Sequence, residues 1–277
     1  MSLCVVIVSY RTGPALGACI AALKDCAGVD DIVLIDNGNA DADAAALDAF
    51  ASADARVTLL RGQGNVGFAA GCNLGAHNTD SDTLVFANPD VILAADACVR
   101  LAEVLASAPP PAIVGGDLRD GQGRPERGSR RERLTLWRAF VYASGLAKLE
   151  PVLPFFRDFN RHRDPLPAAP VRVGAISGAL MCMRRADFET LGGFDQGYFV
   201  HVEDLDLCRR AEAAGWPVLF APGPHGVHAR SSSAVEAKVL AHHKARGMAR
   251  YLTKFADGPV ERALARIAGG VLTFVSR

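Results

Sequence analysis

The chain has 277 residues, half of them hydrophobic, with 30 basic and 30 acidic side chains and a formal net charge of zero. That length is ample for one large buried core, or for one domain with a small addition, and the balanced charge excludes nucleic-acid binding by bulk electrostatics. Seven scattered cysteines, mostly inside apolar runs and without a CxxC pair or Cys/His ligand spacing, argue against zinc and for a reducing compartment.

The opening stretch "MSLCVVIVSY" has a short apolar run and no basic lead, so it reads as a strand and not as a signal peptide. "LCVVIVS", "DIVLID", "RVTLL" and "TLVFA" predict four short strands, continuously apolar and therefore buried on both faces. Alanine-rich segments with helical spacing, such as Leu16, Ile20 and Leu23, lie between them. This alternation predicts an α/β fold: a mostly parallel sheet with helices on both faces and ligands at the carboxyl ends of the strands.

The residues following each strand therefore carry most weight. The first strand ends in Ser9-Tyr10-Arg11 and the second in Asp36-Asn37-Gly38-Asn39. A carboxylate there can accept a hydrogen bond from a nucleobase imide or a ribose hydroxyl, although Asp-Asn-Gly is also turn chemistry. "GQGNVG" (Gly62, Gly64, Gly67) matches the GxGxxG pattern, but it follows the third strand and not the first βα turn, which disfavours dinucleotide binding. The fuller pattern runs from Asn65 through Gly67, Gly71 and Asn73 to Gly75, and its glycines strip one helix face of side chains. Close approach of a ligand or of a neighbouring strand would justify a cost of roughly 1 kcal/mol per glycine. The fourth strand runs into Asn88-Pro89-Asp90, where Asp90 can offer hard oxygen contacts to a divalent cation, or simply belong to a turn.

Residues 117 to 170 are rich in Arg, Gly and Pro around one apolar helical patch, and read as an insertion with mobile ends. "VGAISGALMCMRRADFETLGGF" returns to a strand and a short helix stopped by Gly192-Gly193. "FVHVEDLDLCRRAEAAGW" then sets Glu203, Asp204 and Asp206 at a helix start, where acids offset the helix dipole. The stripe of Leu207, Cys208, Ala211 and Ala214 leans Asp204 over the buried face, where an unpaired carboxylate is costly. Asp206 falls within reach of Arg209 and Arg210. After His228 nine Lys or Arg, from Arg230 to Arg277, face three acids, a pattern that suits a solvated basic helix or an anionic surface. No run approaches the roughly eighteen apolar residues of a spanning helix. A cytoplasmic protein is expected, with peripheral contact at the inner face of a membrane through the basic tail as an option.

Taken together, "VVIVSY", "LIDNGN", "NVGFAAGCNLG", "FANPDV" and the long block from "SGALMCMRR" to "AEAAGW" resemble a family 2 glycosyltransferase of the GT-A fold, in its rhamnosyltransferase-like branch. The resemblance implies one nucleotide-binding domain over residues 1–230, with the insertion at about 117–170, and a helical appendage over 231–277. It implies Ser9, Tyr10, Asp36 and Asn37 at the base and ribose of a dTDP- or UDP-sugar donor, with Asn65, Gly67, Asn73 and Asn88 closing around the nucleotide. Asn88-Pro89-Asp90 stands where the family carries its DxD motif, so Asp90, with His228, would hold Mg²⁺ or Mn²⁺; Asn in place of the first Asp leaves one carboxylate for the metal. Asp204 matches the family's base. Glu203, Ser177, Gly178 and Trp216 are expected at the donor or acceptor sugar. The implied reaction is transfer with inversion of a deoxyhexose such as rhamnose onto a glycan or lipid-linked glycan for surface polysaccharide.

Two other readings compete. A sugar-phosphate nucleotidyltransferase needs an N-terminal glycine-rich loop carrying Arg and Lys, which "SYRTGP" matches poorly. A non-catalytic nucleotide-sugar or glycan-binding module needs no base, whereas Asp36, Asp90 and Asp204 stand here together.

Overall fold

A computed structural model describes residues 2–229 and 236–276; Arg230 and Arg277 of the basic tail lie outside them. The first half runs β1 (Leu3–Ser9), α1 (Ala15–Lys24), β2 (Asp31–Asp36), α2 (Asp41–Ala53), β3 (Val57–Leu60), α3 (Phe68–His77), β4 (Thr83–Ala87), β5 (Val91–Leu93), α4 (Ala97–Ser107) and β6 (Ile113–Arg119). The second half runs β7 (Arg130–Arg131), α5 (Leu136–Ser144), β8 (Val171–Arg172), β9 (Ala175–Ile176), β10 (Leu180–Arg184), α6 (Arg185–Thr190), α7 (Glu203–Ala213), β11 (Val218–His228), α8 (Ala237–Lys254) and α9 (Gly258–Val275).

The main sheet has the order β3-β2-β1-β4-β10-β6-β11-β5. The β3-β2-β1-β4 half is parallel throughout, whereas β10 is antiparallel to both β4 and β6, and β5 is antiparallel to β11. Alternate residues of β1 feed two cores, as the two-residue period of a strand requires. Cys4, Val6 and Val8 join α3, Phe188, α7 and α8 on one face; Leu3, Val5 and Ile7 join α1, α2 and α4 on the other. The expectation of full burial holds for β1, β2 and β4, but β3 lies at the sheet edge and is only half-buried.

The glycine face of α3 serves the sheet. A Cβ on Gly71 would lie 2.7 Å from a Val8 methyl, and one on Gly75 would collide with Val6. Of the two causes the glycine spacing allows, a neighbouring strand is the operative one for these two positions.

The segment after β6 is tied at its ends and not loose. The Glu126 amide donates to the Leu118 carbonyl and the Ser129 hydroxyl to that of Gly116, while β7 pairs with β9. Helix α8 is fastened to the body: Tyr251 and Leu252 enter the same core as α7, and Lys254 binds Asp206 and Asp195. Arg250 is also committed to Asp195, so two of the tail's cations are internal anchors. All seven cysteines are free and buried. Among the described residues no helix is long and apolar enough to cross a membrane.

Candidate active site

Two clusters lie along the carboxyl edge of the sheet. The first joins the ends of β1 and β2. Asp36, buried, accepts through Oδ1 from the amides of Gly38 and Asn39 and from the Asn39 side chain, as the turn reading of this motif requires. Its Oδ2 stands 3.7 Å from Arg61 Nε. Asn37 donates to the Gly67 carbonyl at 3.1 Å, Asn65 Oδ1 accepts from the Gly67 amide, and Ser9 Oγ binds Thr12 and Asn39. Tyr10 lies against Gly38 with Arg11 over its ring. Gly67 has φ +85°, and a Cβ there would strike the Phe199 carbonyl, so the loop ahead of α3 closes on the segment that leads into α7.

The second cluster lines a cleft of about 250 Å³ bounded by Asn88, Ser177, Gly178, Glu203, Asp204 and His228. Asp204 sits in the first turn of α7, buried as its helical stripe predicts, and it is paired. Its Oδ2 accepts from Arg131 at 2.5 Å and from the Gly178 amide at 3.1 Å. Arg131 reaches it because β7 is zipped to β9 in register with Ile176 and Ala175. Glu203 is buried beside it, its Oε2 without a hydrogen-bond partner among the described residues. Burial, and then the charge of Asp204, push the Glu203 carboxyl up to about 8. Asp206 is wholly buried and pairs with Arg210, Lys254 and the Tyr198 hydroxyl; Arg209 binds Glu212 instead. It belongs to the frame that fixes α7.

The approach to α7 is strained. His201 and Val202 both take left-handed backbone, φ +67° and +76°, which is costly for a β-branched residue. Gly247 of α8 lies against them, where a Cβ would stand 3.1 Å from the His201 carbonyl.

Asp90 and His228 meet across the β5–β11 pairing, with Nε2 of His228 3.1 Å from Asp90 Oδ1. The other ring nitrogen is 2.6 Å from Glu126 Oε2. Burial alone would lower the His228 pKa, but its bonds to Asp90 and Glu126 outweigh that and hold it up at about 9. Glu126 was invisible to sequence reasoning: it is one acid in an Arg-rich, unpatterned stretch, and only the fold of the insertion carries it to β11.

Two expected site residues stand elsewhere. The Asn73 side chain donates to the Phe194 carbonyl and accepts from the Phe194 amide, so it clasps the turn after α6 and is not turned to a nucleotide. Trp216 precedes β11, whose first residue Val218 pairs in parallel with Ile113 at the start of β6. It therefore lies at the amino end of these strands, in a separate hollow with Pro110 and Pro111. Arg131, one of the arginines of the Arg-rich 119–133 segment, takes a place in the cleft that Trp216 does not.

Residues 4–181, more than half of the chain, match the family described as Glycosyl transferase family 2. The chain belongs to that family. The glycosyltransferase is 29% identical over 256 residues to an N-acetylglucosaminyl-diphospho-decaprenol L-rhamnosyltransferase of Mycobacterium tuberculosis, covering 87% of this chain and 81% of that protein. Its fold is GT-A-like. A mannosyltransferase from Pyrobaculum calidifontis, in complex with GDP-Man and Mn²⁺, matches with a TM-score of 0.62 at 16% identity over 99% of this chain and 70% of that one. GalNAc-T7 with UDP, GalNAc and Mn²⁺ matches with a TM-score of 0.65 at 14% identity over 98% of this chain and 55% of that one.

Proposed function

We propose that this glycosyltransferase transfers a deoxyhexose, rhamnose, with inversion from a dTDP- or UDP-sugar to a lipid-linked glycan, working from the cytoplasmic face of a membrane. The observation that carries this reading is the buried carboxyl pair, Glu203 and Asp204, in a sugar-sized cleft at the carboxyl edge of a GT-A-like sheet. Similarity to the M. tuberculosis rhamnosyltransferase supports the donor sugar and the type of acceptor.

Asp204 is the base. Arg131 and the Gly178 amide fix its carboxylate, and an acceptor hydroxyl entering the cleft gives up its proton there as the new bond to the anomeric carbon forms. The bond from that carbon to the diphosphate oxygen breaks in the same displacement, and the nucleoside diphosphate leaves. Glu203, kept protonated near neutral pH, can donate a hydrogen bond to a sugar oxygen. Asp36 and Asn37 flank the end of β2 as the candidate seat of ribose and base.

Among the described residues no three His, Cys, Asp or Glu stand as a ready metal cage. The donor set nevertheless fits Mg²⁺ or Mn²⁺: a carboxylate and an imidazole nitrogen face each other, and Glu126 on the second ring nitrogen is the usual outer-shell partner of a ligating histidine. Asp90 and His228 would hold the cation, and when bound it would supply positive charge to the leaving diphosphate.

The test is transfer from dTDP-rhamnose and UDP-sugars, with Mg²⁺ or Mn²⁺, onto an N-acetylglucosaminyl-diphospho-prenol, read by mass spectrometry. A product heavier by one deoxyhexose is expected. Donor turnover only with acceptors lacking a lipid, or transfer of other sugars alone, would refute the assignment.

A further inference from the structure

Helices α5 and α9 leave between them an apolar groove of about 990 Å³. Trp137 and Phe140 on α5, and Ile267 and Val271 on α9, are all substantially exposed along it, Ile267 by 65%. Contiguous apolar surface of this extent is uncommon on a soluble protein without a partner. The groove is continuous with the catalytic cleft, because Phe159, Lys244 and Met248 line both. Lys244 is exposed and has no ion-pair partner among the described residues. Its charge reaches the cleft, which Lys244 lines together with His201.

Three chemistries thus follow one another along the surface: carboxyls at Glu203 and Asp204, a lone cation at Lys244, then a concave apolar channel. A lipid-linked glycan presents the complementary series, a sugar hydroxyl, a diphosphate and an isoprenoid chain. We propose that the α5–α9 groove holds the part of the acceptor's isoprenoid chain nearest the diphosphate, with Lys244 against the diphosphate. This rests on the reading of the chain as a glycosyltransferase with a lipid-linked acceptor. Continuity with the cleft favours the acceptor's own chain over a bilayer surface or a protein helix, neither of which needs to begin beside Asp204.

Ala268, on α9, lines the groove away from the carboxyls, so Ala268→Trp fills it without touching them. Two acceptors with the same glycan and diphosphate are compared in the same detergent, one on a propyl group and one on a long polyprenyl chain. The variant is expected to raise KM for the polyprenyl acceptor by about tenfold or more, leaving kcat, donor KM and the propyl acceptor unchanged, the signature of lost uniform binding. Equal effects on both acceptors, or none on either, overturn the proposal. Lys244→Met should raise KM for both, since both carry the diphosphate. A benzophenone-bearing polyprenyl diphosphate, which needs no turnover, should crosslink to α5 and α9 of the wild type. Labelling confined to other segments overturns the proposal even where transfer is seen. Labelling of the groove without any transfer leaves the groove assigned and refutes the catalytic reading instead. If Ala268→Trp weakens sedimentation with anionic vesicles free of acceptor by the same factor as its KM effect, the groove is a general membrane seat and the proposal fails.

Discussion

Asp204 and Glu203 are neighbours in the chain with unequal surroundings. Asp204 has a guanidinium and two amide donors, from Gly178 and Leu205; Glu203 is buried with one oxygen unpartnered among the described residues. Asp204→Asn keeps the shape of the site but cannot take a proton, so transfer should fall by roughly 10²-fold or more while donor binding persists. Near-normal turnover in that variant would remove Asp204 from the role. Glu203 makes a different prediction. Its folded-state pKa, about 8, exceeds the ordinary 4.5, so between these values the folded protein keeps a proton that the unfolded chain releases. Stability from this group is therefore lost as pH rises through that window. Glu203→Gln should melt higher than wild type at pH 8, with the difference shrinking toward pH 5; a gap that is flat or widens on acidification would contradict the assignment. Asp90 supplies a third: EDTA should weaken nucleotide-sugar binding to wild type in a thermal-shift titration. It should have little further effect on Asp90→Ala, and equal EDTA sensitivity in both would exclude Asp90 as a ligand.

At the scale of elements, α3 is fitted to β1 through Gly71 and Gly75, which admit Val8 and Val6. Gly75→Ala forces a methyl into Val6 and should cost roughly 1–3 kcal/mol in urea unfolding, the usual range for overpacking. An unchanged midpoint would mean that the helix can slide away. The strands themselves were readable because a strand buried on both faces is an uninterrupted apolar run, and the strand-end motifs because a parallel sheet gathers its ligands at one edge. That logic singled out Asp36, Asn88 and Asp90 as candidates, whereas Asp204 came from the helical stripe of α7 and from the family resemblance. The resemblance put Asn73 at the nucleotide and Trp216 at a sugar, but a side-chain amide serves a backbone clasp as readily as a ligand, and Trp216, just before β11, lies at the amino end of that strand. Glu126, and the pairing of Arg131 with Asp204 within the Arg-rich 119–133 segment, were not legible for a different reason. Both lie in a stretch without periodicity, and their value comes only from pairings with β11 and β9 formed across long sequence separations.

Across the whole molecule, the helices after residue 236 do more than cover the sheet. Tyr251 and Leu252 share the core of α7, Lys254 neutralises its buried Asp206, and Gly247 lies against the left-handed pair His201 and Val202. That pair aims the first turn of α7, and its strain persists only while the surroundings enforce it. The consequence concerns how such a protein can be recombined. Exchanging the last two helices between homologues is the obvious way to carry acceptor preference from one to another. Here the same helices brace the turn that leads into Asp204, so a chimera joined before α8 exchanges part of that support along with the proposed acceptor groove. A graft has to retain Gly247 and Lys254 from the recipient, and confine its changes to the α9 residues that face α5.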